Sequence, residues 1–135
     1  MIILDASAWV VSLVDDGPLG AACRDVLEAD RRWTAPSHAA TETLRTLRRY
    51  ELASLISADS ASAMAAKVGS TRVRYVGPSS TLLREQWKLR HNVSAYDAAY
   101  VVLAGEFGAP LLTTDGRLAR AAESLGVEVR HFRRD

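Results

Sequence analysis

Apolar positions along this chain fall into two alternating rhythms, short unbroken runs and longer stretches spaced three and four residues apart. The short runs lie at residues 2–4, 33–35, 73–76, 111–113 and 127–131, and they predict five strands. Between them the helical spacing recurs. Trp9, Val10, Leu13 and Val14 keep it, Asp16-Gly17-Pro18 breaks it, and Leu19, Ala22, Val26 and Leu27 resume it. A further helix is predicted after Pro36-Ser37, with Ala40, Leu44 and Leu47 facing inward, and another over residues 59–68, stopped by Gly69. Gly77-Pro78-Ser79 opens a helix carrying Leu82, Leu83, Gln86 and Leu89, and Ser94 opens the next. The last helix starts near Asp115, places Leu118, Ala121, Ala122 and Leu125 at helical spacing, and stops at Gly126. Strands alternating with helices in this way predict the α/β class, a parallel sheet covered by helices.

Composition narrows the possibilities without naming an activity. At 135 residues and 48% hydrophobic, the chain has the size of one domain, residues 1–135, and can bury a core without staples. Cys23 stands alone and cannot close an intrachain disulfide, and His38, His91 and His131 lack the spacing of a zinc site. No apolar run approaches the roughly 20 residues of a membrane span, and Met1 leads straight into Ile2-Ile3-Leu4 without a basic leader. These features predict a cytoplasmic protein with no membrane partner. The net charge of +1 does not announce nucleic acid, although local asymmetry can sit inside a neutral total. Lys67 and Lys88 are the only lysines, an arginine bias that fits either phosphate recognition or a GC-rich coding sequence.

The chemistry concentrates in four acidic residues, Asp5, Glu42, Asp97 and Asp115, placed where strands end or helices begin. Each has an ordinary structural explanation. Asp5 or Ser7 caps the helix containing Trp9, Glu42 pairs with Arg45 one turn on, Asp97 closes a capping box with Ser94, and Asp115 caps the last helix. Four together need a different account, because ligands in open parallel sheets bind beyond the carboxyl ends of the strands, where these residues would gather. Two unit charges about 4 Å apart repel by roughly 4 kcal/mol at an effective dielectric near 20. Such a cluster takes up protons or binds a cation. Oxygen donors without thiolate or paired imidazole select Mg²⁺ or Mn²⁺, and those ions in a carboxylate site serve phosphoryl chemistry.

Four segments carry a family likeness: Ile2-Ile3-Leu4-Asp5-Ala6-Ser7-Ala8, Pro36-Ser37-His38-Ala39-Ala40-Thr41-Glu42, Ser94-Ala95-Tyr96-Asp97-Ala98-Ala99-Tyr100 and Leu112-Thr113-Thr114-Asp115-Gly116-Arg117-Leu118. In order, spacing and length the chain resembles a PIN-domain ribonuclease of the VapC toxin type. The resemblance implies a five-stranded parallel sheet sandwiched by helices, and a metal-dependent endoribonuclease from a toxin–antitoxin pair. It implies that Asp5, Glu42, Asp97 and Asp115 hold one or two Mg²⁺ or Mn²⁺ ions, with Ser7 and Thr113 or Thr114 supporting them by hydrogen bonds. It also implies a homodimer and a cognate antitoxin whose tail occupies the groove. Gly116 and Arg117 follow Asp115 where family members vary in their extra acidic residues, which bears on a second ion.

On this reading, hydrolysis by activated water leaves a 5′-phosphate and a 3′-hydroxyl on the RNA. Arg45, Arg48 and Arg49 are candidates for contacting the RNA backbone, set against a plain solvated helix face. Trp9 and Trp87 are either base-stacking or, more in keeping with burial trends, core or interface residues. A signalling receiver would need an acidic pair after the first strand and a late lysine, and a dehalogenase-type phosphatase a second Asp where Ser7 stands. The alternative from another class is a non-catalytic binding module whose acidic pocket docks a basic peptide.

Overall fold

The structure, a computed structural model, describes residues 1–133. Its elements run β1 (Ile2–Leu4), α1 (Ala6–Val14), α2 (Pro18–Ala29), β2 (Trp33–Pro36), α3 (Ala39–Leu52), α4 (Ala58–Ser70), β3 (Arg74–Val76), α5 (Ser80–Lys88), α6 (Ala95–Phe107), β4 (Leu111–Thr113), α7 (Gly116–Ser124) and β5 (Val129–His131). Local chemistry marks the boundaries. Pro18 occupies the first turn of α2, where its missing N–H costs nothing. The hydroxyls of Ser57, Ser79 and Ser94 accept from the backbone N–H of Ser60, Leu82 and Asp97, capping α4, α5 and α6. Gly108, at φ +58°, ends α6 in the left-handed conformation that glycine adopts without strain.

All pairings are parallel, in the order β3-β2-β1-β4-β5. The chain lays β2 and β3 on one side of β1, then crosses back to place β4 and β5 on the other. Between β1 and β4 the direction of winding reverses, and in such sheets the crevice beyond the carboxyl ends of those two strands is where ligands bind.

The strand pleat sorts the core into two layers. Ile3, Ala35 and Leu111 pack with Leu82 of α5, with Tyr100, Val101, Leu103 and Ala104 of α6, and with Leu118 and Ala122 of α7. Ile2, Leu4 and Leu112 face the opposite way, onto Ala8, Trp9, Cys23, Leu27, Leu47 and Val68 from α1 to α4. The α/β architecture, a five-stranded parallel sheet between helical layers, is the one expected. Among the described residues no helix is long and apolar enough to cross a membrane.

Several details differ from the sequence reading. Leu44, expected to face inward, is 43% exposed; Ala39, Thr43 and Leu47 make the buried stripe of α3. Thr43 holds its place because its hydroxyl donates to the Ala39 carbonyl one turn back. Gly69 does not stop α4, which runs to Ser70 and is capped by Thr71. Strands β3 and β5 begin at Arg74 and Val129, since Val73 and Val127 belong to the preceding connections. Leu125 lies beyond the end of α7 and is exposed. Trp9 is core, whereas Trp87 is 67% exposed with the Arg90 guanidinium over its ring.

Candidate active site

Asp5 occupies the N-cap position of α1 but does not cap the helix. Its Oδ2 accepts instead from Ser7 Oγ at 2.5 Å and from Thr113 Oγ1 at 2.7 Å, tying the end of β1 to the end of β4. Each hydroxyl then uses its lone pairs on the turn that follows β4. Ser7 Oγ accepts from the Thr114 N–H at 3.1 Å, and Thr113 Oγ1 accepts from the Asp115 N–H at 2.9 Å. With both protons committed to Asp5, the 3.3 Å approach of the two hydroxyls is packing, and the carboxylate anchors a closed network across the switch point. Thr114 enters this network through its backbone.

The other three carboxylates arrive on separate elements. Asp115 caps α7, Oδ1 accepting from the Arg117 N–H at 2.9 Å and the Leu118 N–H at 3.4 Å. Asp97 sits in the first turn of α6, where the Ser94 hydroxyl binds the Asp97 backbone N–H. Glu42, in the first turn of α3, takes a partner other than Arg45. Its Oε1 accepts from the Tyr100 hydroxyl at 2.6 Å and lies 3.6 Å from His38 Nε2.

All four line one polar cleft of about 290 Å³, together with Ser7, Arg45, Arg49, Tyr50 and Thr114. Thr113 lies beneath it, fully buried. Arg48, on the same helix as Arg45 and Arg49, is exposed and does not line the cleft, because its position turns it away from the stripe those two share. Sequence reading passed over Tyr100 and His38. The available signal was the hydroxyl of Tyr100 inside the apolar run 98–103, one turn after Asp97 on the same face.

The electrostatics match the crowding. Burial pushes the Asp5 carboxyl up to about 6 against the two hydroxyl hydrogen bonds, and the charges of Asp97 and Glu42 push it further the same way. Asp97 is also raised, by burial first and then by Asp115 and Glu42. Among the described residues, no three His, Cys, Asp or Glu side chains form a ready-made metal-holding group. The carboxylates border an open cleft, an arrangement that suits a small hard cation keeping part of its water shell. The donor set fits a hard divalent cation: every oxygen is hard, and the burial and repulsion that raise Asp5 and Asp97 are what a bound positive charge would offset.

The PIN domain model matches residues 2–124. Ribonuclease VapC1 of Mycobacterium tuberculosis is 36% identical over 131 residues, 97% of each chain. Ribonuclease VapC12 of the same organism is 36% identical over 121 residues, 90% of this chain and 92% of its own. Among solved structures, M. tuberculosis VapC20, described as a sarcin-ricin loop cleaving toxin, superposes with a TM-score of 0.69 at 21% identity, covering 90% of this chain and 95% of that one. The chain belongs to the PIN-domain family, and within it to the VapC-type ribonucleases.

Proposed function

We propose that this protein is the toxin of a VapBC-type toxin–antitoxin pair, a metal-dependent endoribonuclease acting in the cytoplasm on RNA phosphodiester bonds. The observation that carries this reading is the gathering of Asp5, Glu42, Asp97 and Asp115, from four separate elements, onto one cleft at the switch point of the sheet. Its relatives are named ribonucleases, which supports the reaction class.

Asp5, Glu42, Asp97 and Asp115 are the residues that hold one or two Mg²⁺ or Mn²⁺ ions. Such an ion supplies charge stabilisation for the phosphoryl oxygens and lowers the pKa of water at neutral pH. The chain's own groups do the rest. Ser7 and Thr113 fix one oxygen of Asp5 and so set the orientation of a carboxylate that lines the cleft. Arg45 and Arg49 line the same cleft as cations and accept backbone phosphates on either side of the cut. Arg48 lies further out on the exposed face of α3 and contributes at most long-range attraction. The cognate antitoxin, in this reading, closes the groove, and two copies of the toxin pair as a homodimer.

The test is to incubate purified protein and its Asp97→Asn variant with total cellular RNA in Mg²⁺ or Mn²⁺, with and without EDTA. New ends are then mapped. The expected result is discrete cuts carrying 5′-phosphate and 3′-hydroxyl that need the ion, with loss of more than about 100-fold in Asp97→Asn, since even outer partners of such sites cost 10- to 100-fold. Cyclic-phosphate ends would refute this chemistry. Intact RNA from well-folded, partner-free protein under both ions would leave a non-catalytic cleft that docks a basic peptide.

A further inference from the structure

Tyr100 is fully buried in the layer formed by α5 to α7, yet its hydroxyl donates at 2.6 Å to Oε1 of Glu42, a residue that lines the cleft. Phenylalanine would fill the same space, so the oxygen needs an account of its own. Through that bond α6 meets the helix that carries Glu42. Asp97 stands three residues earlier on α6, one turn away on the same face.

His38 closes the opposite side. Its ring packs edge-on against Tyr100 with centroids 5.6 Å apart, and Nε2 lies 3.2 Å from the Tyr96 carbonyl. A carbonyl only accepts, so that nitrogen carries a proton and spends it on Tyr96, while the Glu42 carboxylate stands 3.6 Å away. Glu42 has an alternative available on its own helix. Arg45 follows at i+3 on the same cleft wall, a spacing at which Glu and Arg pair readily, and such a pair would compete with a cation for the carboxylate. The charge-assisted bond from Tyr100, buried on the donor side, outcompetes that exposed pairing.

We propose that Tyr100 is a positioning residue whose hydroxyl holds the Glu42 carboxylate toward Asp5 and Asp97, setting the cation affinity of the cleft without touching substrate. This inference rests on the cation-holding reading of the cleft.

The experiment is a double-substitution cycle on the full chain, reading Mn²⁺ affinity by titration calorimetry without RNA and then kcat and KM for RNA. Tyr100→Phe is expected to weaken Mn²⁺ binding on the order of tenfold and to lower kcat with KM unchanged. In a Glu42→Gln background the same substitution is expected to add nothing, because its route of action is already gone. An unchanged Mn²⁺ Kd in Tyr100→Phe overturns the inference. So does an equal loss in both backgrounds, which would mean that Tyr100 acts through packing alone. Wild-type protein that binds no Mn²⁺ at millimolar concentration overturns the cation site itself, and is recognised before any variant is made.

Discussion

The two edges of the sheet handle acidic residues in opposite ways. At the amino-terminal edge, Asp30 accepts from the Met1 ammonium and from Arg32, and these bonds hold its carboxyl well below the usual range. That edge has its own cavity, about 540 Å³, where Asp30 and Glu128 alternate with Arg32 and Arg130. At the carboxyl-terminal edge, Asp5, Glu42, Asp97 and Asp115 meet one another, and Asp5 and Asp97 shift upward instead. Paired charge is architecture, because each carboxylate is satisfied by the chain itself. Like charge gathered and partly buried on one cleft carries an electrostatic cost, which the raised carboxyls of Asp5 and Asp97 register.

Opposite shifts demand opposite pH responses, and this is the sharpest way to break the comparison. Asp5 has a folded pKa of about 6, above the ordinary 3.8, so the native state holds its proton more tightly than the unfolded chain. The resulting stabilisation is complete below pH 3.8 and lost as pH rises through about 6. In metal-free buffer Asp5→Asn should therefore raise stability at pH 7.5 by up to about 3 kcal/mol, a gain that fades toward pH 4 in denaturant titrations. For Asp30 the sign reverses: its contribution is present above pH 3.8 and lost as pH falls through its depressed folded value. Asp30→Asn should therefore lower stability at neutral pH. Equal signs for the two variants would erase the distinction between the edges.

Next in size is the response to the ion. Mn²⁺ at a hundredfold excess over Kd should add about 2.7 kcal/mol, which for a chain of this length raises Tm by roughly 10 °C. Asp30→Asn should keep that increment and Asp97→Asn should lose most of it. A wild-type Tm that ignores Mn²⁺ would count against the carboxyl-terminal edge as a cation site.

The smallest effect separates cations on one helix. If Arg45 and Arg49 each contact one phosphate, changing either to Ala should lower the salt slope of RNA binding by about 0.7, whereas Arg48→Ala should leave it unaltered. Measuring log Kd against log salt for a single-stranded RNA decides it. A drop for Arg48 equal to the others would show that the cleft wall is not the RNA path.

Much of this was legible before any coordinates. The five apolar runs located the strands to within a residue or two, most closely at β1 and β4, which are buried throughout, and Ser79 and Ser94 announced helix starts through cap chemistry. Leu44 was misread because an apolar residue at helical spacing does not reveal which of two neighbouring stripes is covered. Local spacing puts Ala40, Leu44 and Leu47 on one face, but packing against α1 and α4 buries the stripe through Ala39, Thr43 and Leu47.

The sequence by itself determined the element types and the alternation that makes a parallel sheet. It also determined the identity of the four acidic residues, because periodicity, caps and strand ends are local properties. Only the tertiary structure decided what each carboxylate touches. Capping was equally available to Asp5 and Asp115, yet Asp115 caps its helix while Asp5 turns to Ser7 and Thr113, since β4 lies beside β1 and brings a hydroxyl from 108 residues away. Glu42 could reach Arg45 on its own helix but is held by Tyr100, 58 residues later. Those choices are made by pairing between distant strands and helices, and sequence spacing carries no record of which partner the fold brings closer.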